Sequence, residues 1–402
     1  MLDSFLVNVA SMDSPNRLRK PTAASLEQAC WGQSSLRHAD IDALRGWAIF
    51  GVILVHAENA AGPVNNVLLH TVCQNGARGV QLFFVLSACT VFGTLTYSRD
   101  TGGICLTSFL TRRIARILPL FLVGLVFYRF FWGQPGQYQP ADYLIASSLL
   151  HGMWPPATAI VPGGWSISCE FLFYVLIALL FRWVRSLSAA LTLFLGSIVV
   201  RYAVDRWILP LYVIGFPELR SFIADDFRFF FVTNQLPVFS LGIIMYFIRS
   251  SFKAGDTTSL GKPLLVLSLL LMFAFLNAGT TADVLSQHVL IGVSFVALGC
   301  STHFWKCPLL VNRPMCVVGT LSYSIYMWHF AVLHLLQPLV QPLSENPLLR
   351  LPILFVGTVG LTLPIAWLTY VTVERTGIRA GQLLTKRNER RPLSDGFRLS
   401  EN

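Results

Sequence analysis

An arginine at position 45 and a histidine at position 56 lie inside one long apolar run, 41–60 (IDALRGWAIFGVILVHAENA). At about 100° per residue, eleven helical steps return both side chains to nearly one face, roughly 16 Å apart along the axis. A fixed cation and a titratable imidazole are costly in hydrocarbon, so both are expected to face protein or a water-filled cavity and to mark a functional path. Imidazole accepts and returns a proton near neutral pH, which suits removing the proton of an attacking alcohol. The structural alternatives are a hydrogen-bonded packing histidine at 56, and an Arg45 that snorkels to headgroups or pairs with Asp42 at i−3.

Three further segments carry polar groups where none is needed for folding. GGWSISCEFLFYVL places Glu170 five residues into an apolar run, where a carboxylate needs a partner, a proton or water. Arg45, His56 or a second histidine would serve, so Glu170 either orients an imidazole and stabilises its cation or closes a structural salt bridge. LSYSIYMWHF gathers Ser322, Tyr323, Ser324, Tyr326, Trp328 and His329. An interfacial aromatic belt explains most of these, but His329 lies deep if its span begins near Cys316. SFLTRRIARILP sets Arg112, Arg113 and Arg116 at a helix start, where paired guanidinium hydrogen bonds and the helix dipole favour phosphate oxygens. Topology alone would also explain three arginines there. Gln287, His288 and His334 are additional polar groups within apolar runs, without an assigned role.

The elements that must position these groups are membrane helices. The chain of 402 residues is 54% hydrophobic and only 12% charged, against about a quarter charged in a soluble domain. An all-α, polytopic membrane helical bundle is expected, with about ten transmembrane helices and no separate soluble domain. The ten apolar runs cover 41–60, 79–98, 115–132, 165–183, 187–204, 229–248, 263–279, 284–305, 316–340 and 350–373. A net charge of +10 would suit nucleic acid, yet most of the 30 basic residues fall on one side of this topology. Clusters at 17–37, 99–116, 182–185, 249–262, 306–313 and 375–398 place both termini in the cytosol by the positive-inside rule. No nucleic-acid partner is implied.

Residues 1–40 read as a polar cytosolic tail rather than a cleaved signal peptide, 41–375 as the membrane domain, and 376–402 as a basic cytosolic tail whose end, from Lys386, has a composition suited to disorder. Eight scattered cysteines without C-x-x-C spacing indicate neither a disulfide framework nor a metal site; they read as small buried fillers. The connection 133–164 holds a short apolar piece, LIASSLLHGMW, followed by Pro155, Pro156 and Pro162. It is too short to span, and is either a cap over a cavity or a stiff loop.

The ordered succession DALRGWAIFGVILVH, GVQLFFVLSA, FLTRRIARILPLF, WSISCEFLFY and LSYSIYMWHF resembles membrane-bound acyltransferase family 3, over about Asp40 to Glu374. The resemblance implies a ten-helix O-acyltransferase that takes a short acyl group from cytosolic acyl-coenzyme A, acetyl-coenzyme A first among donors, to a hydroxyl of a sugar, glycolipid, lipid-linked glycan or macrolide. It implies the bacterial inner membrane, contact with membrane lipid, and no metal. The family's arginine–histidine pair falls on Arg45 and His56, the latter as base. Its arginine pair falls on Arg113 and Arg116, with Arg112 beside them, for the phosphates of coenzyme A. Its tryptophan motif falls on Trp165, Ser166 and Glu170, and its Y-x-W-H element on Tyr326, Trp328 and His329. Two positions depart: Ala88 stands where many relatives have glycine, and Phe171 where a second acid is common, which leaves Glu170 the sole acid of that motif. A transporter or flippase is the rival reading, because polar residues lining a multi-span cavity also describe a permeation route. No inverted repeat or paired broken helices are legible.

Overall fold

In hydrocarbon every backbone N–H and C=O must find its partner within its own segment, which restricts the long apolar runs of this chain to helices. The computed structural model describes residues 39–102, 105–132, 137–252, 258–277 and 286–389. Among these the regular structure is entirely helical. The principal helices in the first half are α1 (Ala39–Ala61), α2 (Val67–Asn75), α3 (Gly79–Gly102), α4 (Leu106–Phe131), α5 (Pro140–Ser147), α6 (Gly164–Leu180) and α7 (Leu187–Ala203). They are followed by α8 (Leu209–Gly215), α9 (Val232–Ser251), α10 (Thr258–Asn277), α11 (Gln287–Phe304), α12 (Arg313–Thr320), α13 (Ser322–Val340), α14 (Pro347–Thr369) and α15 (Arg375–Glu389).

Within the described residues the ten expected runs fall largely on these helices, 316–340 on two of them. By length and composition the described residues contain eight candidate spans, or nine with the bent α12–α13 pair counted as one. Helix α1 is 23 residues long, also enough to cross, but its charged and polar side chains keep it outside that count. The outer helices show why the apolar surface is so large. Leu191, Leu195, Val199 and Tyr202 recur at helical spacing on α7 and are all exposed, as lipid-facing residues must be.

Helices α1 and α12 come together through small residues. A Cβ at Gly46 would strike the Met315 carbonyl, and one at Gly319 would strike that of Asp42, so glycine at both positions allows backbone-to-backbone contact. This contact carries Arg45 to the centre of the bundle. The run 316–340 is not one straight helix. Helix α12 ends at Leu321, and α13 departs from it at 76°. The bend turns Ser322, Tyr323 and Tyr326 inward. A second irregularity follows α14, where Tyr370–Glu374 forms a π-type turn before α15 begins. The extra residue in such a bulge reorients the side chains beyond it, and Glu374 is completely buried.

The connection expected as cap or loop holds α5 and two short 3₁₀ turns. It is closely hydrogen-bonded: Gly152 N donates to Ser168 Oγ (2.9 Å), Ser168 Oγ to the Leu149 carbonyl (2.7 Å), and Trp154 Nε1 to Asp142 Oδ1 (2.9 Å). His151 is buried, stacks on Phe121 at 5.0 Å and bonds through Nε2 to the Gly164 carbonyl. At the opposite end of the bundle α15 lies along the start of α4, with Gly377 and Gly381 against Ala115 and Arg112. The basic tail thus begins as a helix. The polar tail at 1–38 and the stretch 390–402 lie outside the described residues. Of the seven cysteines described, five are buried, as fillers would be.

Candidate active site

The short α1–α12 contact, the bend before α13 and the arginine-rich start of α4 converge on two adjoining cavities. The inner one is lined by Arg45, Ser87, Arg113, Arg116, Glu170 and Tyr326, among others. The outer one opens toward the end of the bundle where α1 and α4 begin, and adds Asp42, Thr90, Tyr370 and Glu374. Arg45, Arg113 and Arg116 line both, so three guanidinium groups stand at the border between them.

These three cations are held differently. Arg116 Nε lies 3.4 Å from Glu374 Oε1, and the other carboxylate oxygen of Glu374 accepts from Ser324 Oγ at 3.0 Å. Arg113 sits over the rings of Phe109 and Tyr174, 5.6 and 5.4 Å from their centroids. Among the described residues neither Arg113 nor Arg45 has a salt bridge or hydrogen bond. The pairing of Arg45 with Asp42 allowed by the sequence is therefore not formed. Cations turned into a cavity with no salt bridge of their own form a receptive surface for anionic oxygens.

Glu170 accepts hydrogen bonds from Ser87 Oγ and Tyr174 OH, and those two hydroxyls are 3.0 Å apart. The expectation of an imidazole or Arg45 as its partner is corrected: helix α6 turns Glu170 toward α3, and its hydrogen bonds end on hydroxyls. Tyr174 follows Glu170 by four residues, one helical turn, a spacing that could have flagged the pair. Nothing in the composition marked Ser87 or Glu374.

Tyr326 closes the other end of the inner cavity. Its hydroxyl donates to the Gly163 carbonyl (3.0 Å) and accepts from Ser166 Oγ (2.9 Å). Gly163 has φ +73°, the left-handed region, and a Cβ there would lie 2.8 Å from the tyrosine oxygen. One turn on, His329 is fully buried; its Nδ1 bonds to the Tyr326 carbonyl at 2.7 Å and its Nε2 has no protein partner. With Nδ1 donating in the neutral ring, Nε2 is left as an acceptor. The His56 ring stands 5.5 Å from that of His329 and 4.3 Å from that of Phe330.

The structure thus gathers Arg45, Arg113, Arg116, Ser166, Glu170 and Tyr326 around one cavity, and sets the remaining expected residues apart. His56 and His329 pair beyond Tyr326 and line neither cavity. Arg112, grouped with its neighbours on the sequence, is corrected: its Nη1 reaches Thr385 Oγ1 of α15 at 3.5 Å, because a residue adjacent to Arg113 projects about 100° away from it. Trp165 stacks on Phe230 at 4.7 Å, and Trp328 donates through Nε1 to Thr369 Oγ1, so both act in packing around the site.

Residues 38–370 match the family model described as an acyltransferase domain. The chain belongs to this acyltransferase family. A Staphylococcus aureus (strain COL) protein provisionally named an O-acetyltransferase is 26% identical over 328 residues, 73% of this chain and 50% of that protein. The peptidoglycan O-acetyltransferase OatA of Listeria monocytogenes is 23% identical over 333 residues, 76% of this chain and 51% of its own. The acyltransferase MdmB of Streptomyces mycarofaciens is 31% identical over 165 residues, 38% and 41% of the two chains. The chain spans about half the length of the first two relatives. No solved structure matches it significantly. The helices and the family together make this acyltransferase an integral membrane protein.

Proposed function

We propose that this acyltransferase moves a short acyl group from acyl-coenzyme A, acetyl-coenzyme A first, to a hydroxyl of a sugar, glycolipid or lipid-linked glycan. The observation that carries the reading is the arginine cluster: Arg45 and Arg113 line both cavities without a salt bridge, beside an Arg116 held by Glu374. Guanidinium groups bind phosphate oxygens through paired hydrogen bonds, and the coenzyme presents several phosphates. The charge pattern supports a site for this cluster on the cytosolic side of a bacterial cell membrane, where the coenzyme is made, with both termini in the cytosol. The names of the relatives, one acting on peptidoglycan, support a hydroxyl acceptor.

In this reading the phosphates rest on Arg45, Arg113 and Arg116, and the thioester lies in the inner cavity below Tyr326. His56 removes the proton of the acceptor hydroxyl, and His329, whose free Nε2 is an acceptor, positions the imidazole beside it. Because His56 lies beyond Tyr326, donor and acceptor approach from opposite ends, and Tyr326 stands between them.

The test is acyl transfer in membranes from labelled acetyl-coenzyme A to a glycan acceptor, with His56→Ala and His56→Gln. Turnover should fall by roughly 10²-fold or more, the scale of a lost general base, with coenzyme A binding retained. Near-normal turnover by correctly inserted protein removes His56 as the base. Movement of intact solute without covalent acylation would instead identify a transporter.

A further inference from the structure

A thioester held by the three arginines needs a base and a nucleophile on the wall of its own cavity, and His56 is not on that wall. The carboxylate that lines the inner cavity is Glu170. Of the hydroxyls around it, Ser166 donates to the Tyr326 hydroxyl, Tyr326 to the Gly163 carbonyl and Tyr323 to the carbonyl of Ile117, and Ser322 makes no bond to the carboxylate. Ser87 is different. It is buried, lines the cavity and donates to Glu170, while Tyr174 is anchored to the same carboxylate oxygen. Arg113, 5.4 Å from the centroid of the Tyr174 ring, brings a cation beside the cluster. A hydroxyl bonded to a base, the base fixed by a third group, and a cation close by is the arrangement of an activated nucleophile.

We propose that Ser87 is a transient acyl carrier, so that transfer runs in two halves; this deepens the acyl-coenzyme A reading and rests on it. In the first half Ser87 Oγ attacks the thioester carbonyl carbon. The C–O bond forms, the C–S bond breaks, and Glu170 takes the serine proton and returns it to the departing thiolate. The products are O-acyl-Ser87 and free coenzyme A. In the second half the acceptor hydroxyl attacks the serine ester, its proton ends on Ser87 Oγ, and the acylated acceptor leaves. The division explains why the wall that holds the donor and the histidine pair are separate: the acyl group waits on Ser87 while the coenzyme departs and the acceptor arrives past Tyr326.

The experiment uses the full chain in lipid nanodiscs with acetyl-coenzyme A, without acceptor, followed by proteolysis and mass measurement of the α3 peptide. His56→Ala, blocked in the second half, should accumulate close to one acetyl group per chain on Ser87. Ser87→Ala should carry none there and lose roughly 10²-fold or more in acceptor turnover, the scale of a lost nucleophile. Ser87→Cys should form a thioester cleaved by neutral hydroxylamine, which separates chemistry from misfolding. Coenzyme A bound and released by His56→Ala with Ser87 unlabelled overturns the carrier alone. Ser87→Ala turning over within about threefold of the parent chain does the same. Failure of the parent chain to bind acetyl-coenzyme A at all overturns the donor reading and the carrier with it.

Discussion

Arg116 and Glu374, far apart in sequence and on the first and last thirds of the chain, form an ion pair at 3.4 Å whose carboxylate is wholly buried and whose guanidinium lines both cavities. The acid is fixed a second time by Ser324, at the start of the bent helix α13. The pair therefore ties α4, α13 and the π-type turn after α14 to one point beside the cavities.

Glu374→Gln keeps the shape and the Ser324 contact but removes the charge that orients Arg116. Coenzyme A affinity should fall by about tenfold, equal to ~1.4 kcal/mol, because a freed Arg116 side chain must be reordered on binding. Titration of coenzyme A into purified variant and parent measures it. Equal affinities would show that Arg116 needs no such anchor.

The arginines divide along lines the sequence does not draw. Arg45→Ala and Arg113→Ala should each weaken coenzyme A binding by roughly 10- to 100-fold, in keeping with lost charge-assisted hydrogen bonds. Arg112→Ala should leave affinity within about twofold, since its side chain reaches toward Thr385 of α15. The comparison is one binding series at a single ionic strength, and an Arg112 effect as large as that of Arg113 would contradict the geometry.

Gly163→Ala places a methyl 2.8 Å from the Tyr326 hydroxyl and forces alanine into φ +73°. The left-handed conformation alone costs about 1–2 kcal/mol. Reduced thermal stability and slower transfer should appear together. Tyr326→Phe, which removes only the hydrogen bonds to Gly163 and Ser166, should fold more stably than Gly163→Ala. Thermal unfolding in one detergent ranks them.

At the bundle end where α1 begins, Asp40 Oδ2 lies 2.8 Å from Arg249 Nη1, which also donates to the Gly299 carbonyl. Both residues are buried, so Asp40→Asn strands a cation and should destabilise by about 3–5 kcal/mol. The double substitution Asp40→Leu with Arg249→Met should recover most of that loss. A destabilised double variant would mean that the pair sets a specific packing rather than merely neutralising itself.

Much of this molecule is legible one residue at a time. Apolar runs locate the helices because a helix is the one way for an isolated chain segment to satisfy its backbone in lipid, and that requirement is local. Arg45, Arg113, Arg116 and Glu170 stand out because each contradicts its surroundings, and a buried charge needs a reason wherever it occurs. Partners are another matter. Whether Glu170 meets an imidazole or the hydroxyls of Ser87 and Tyr174 depends on the rotation of α6 against α3, and which of two adjacent arginines enters the cavity depends on where α15 docks on α4. The break at Leu321 and the turn that buries Glu374 arise from packing between distant helices, with glycine contacts such as Gly46 to Met315 setting how closely those helices approach. Hydropathy is a property of a single strand of chain, whereas a site is made by the relative rotation of several helices; the sequence by itself determined which residues were out of place, and only the tertiary structure decided which of them meet.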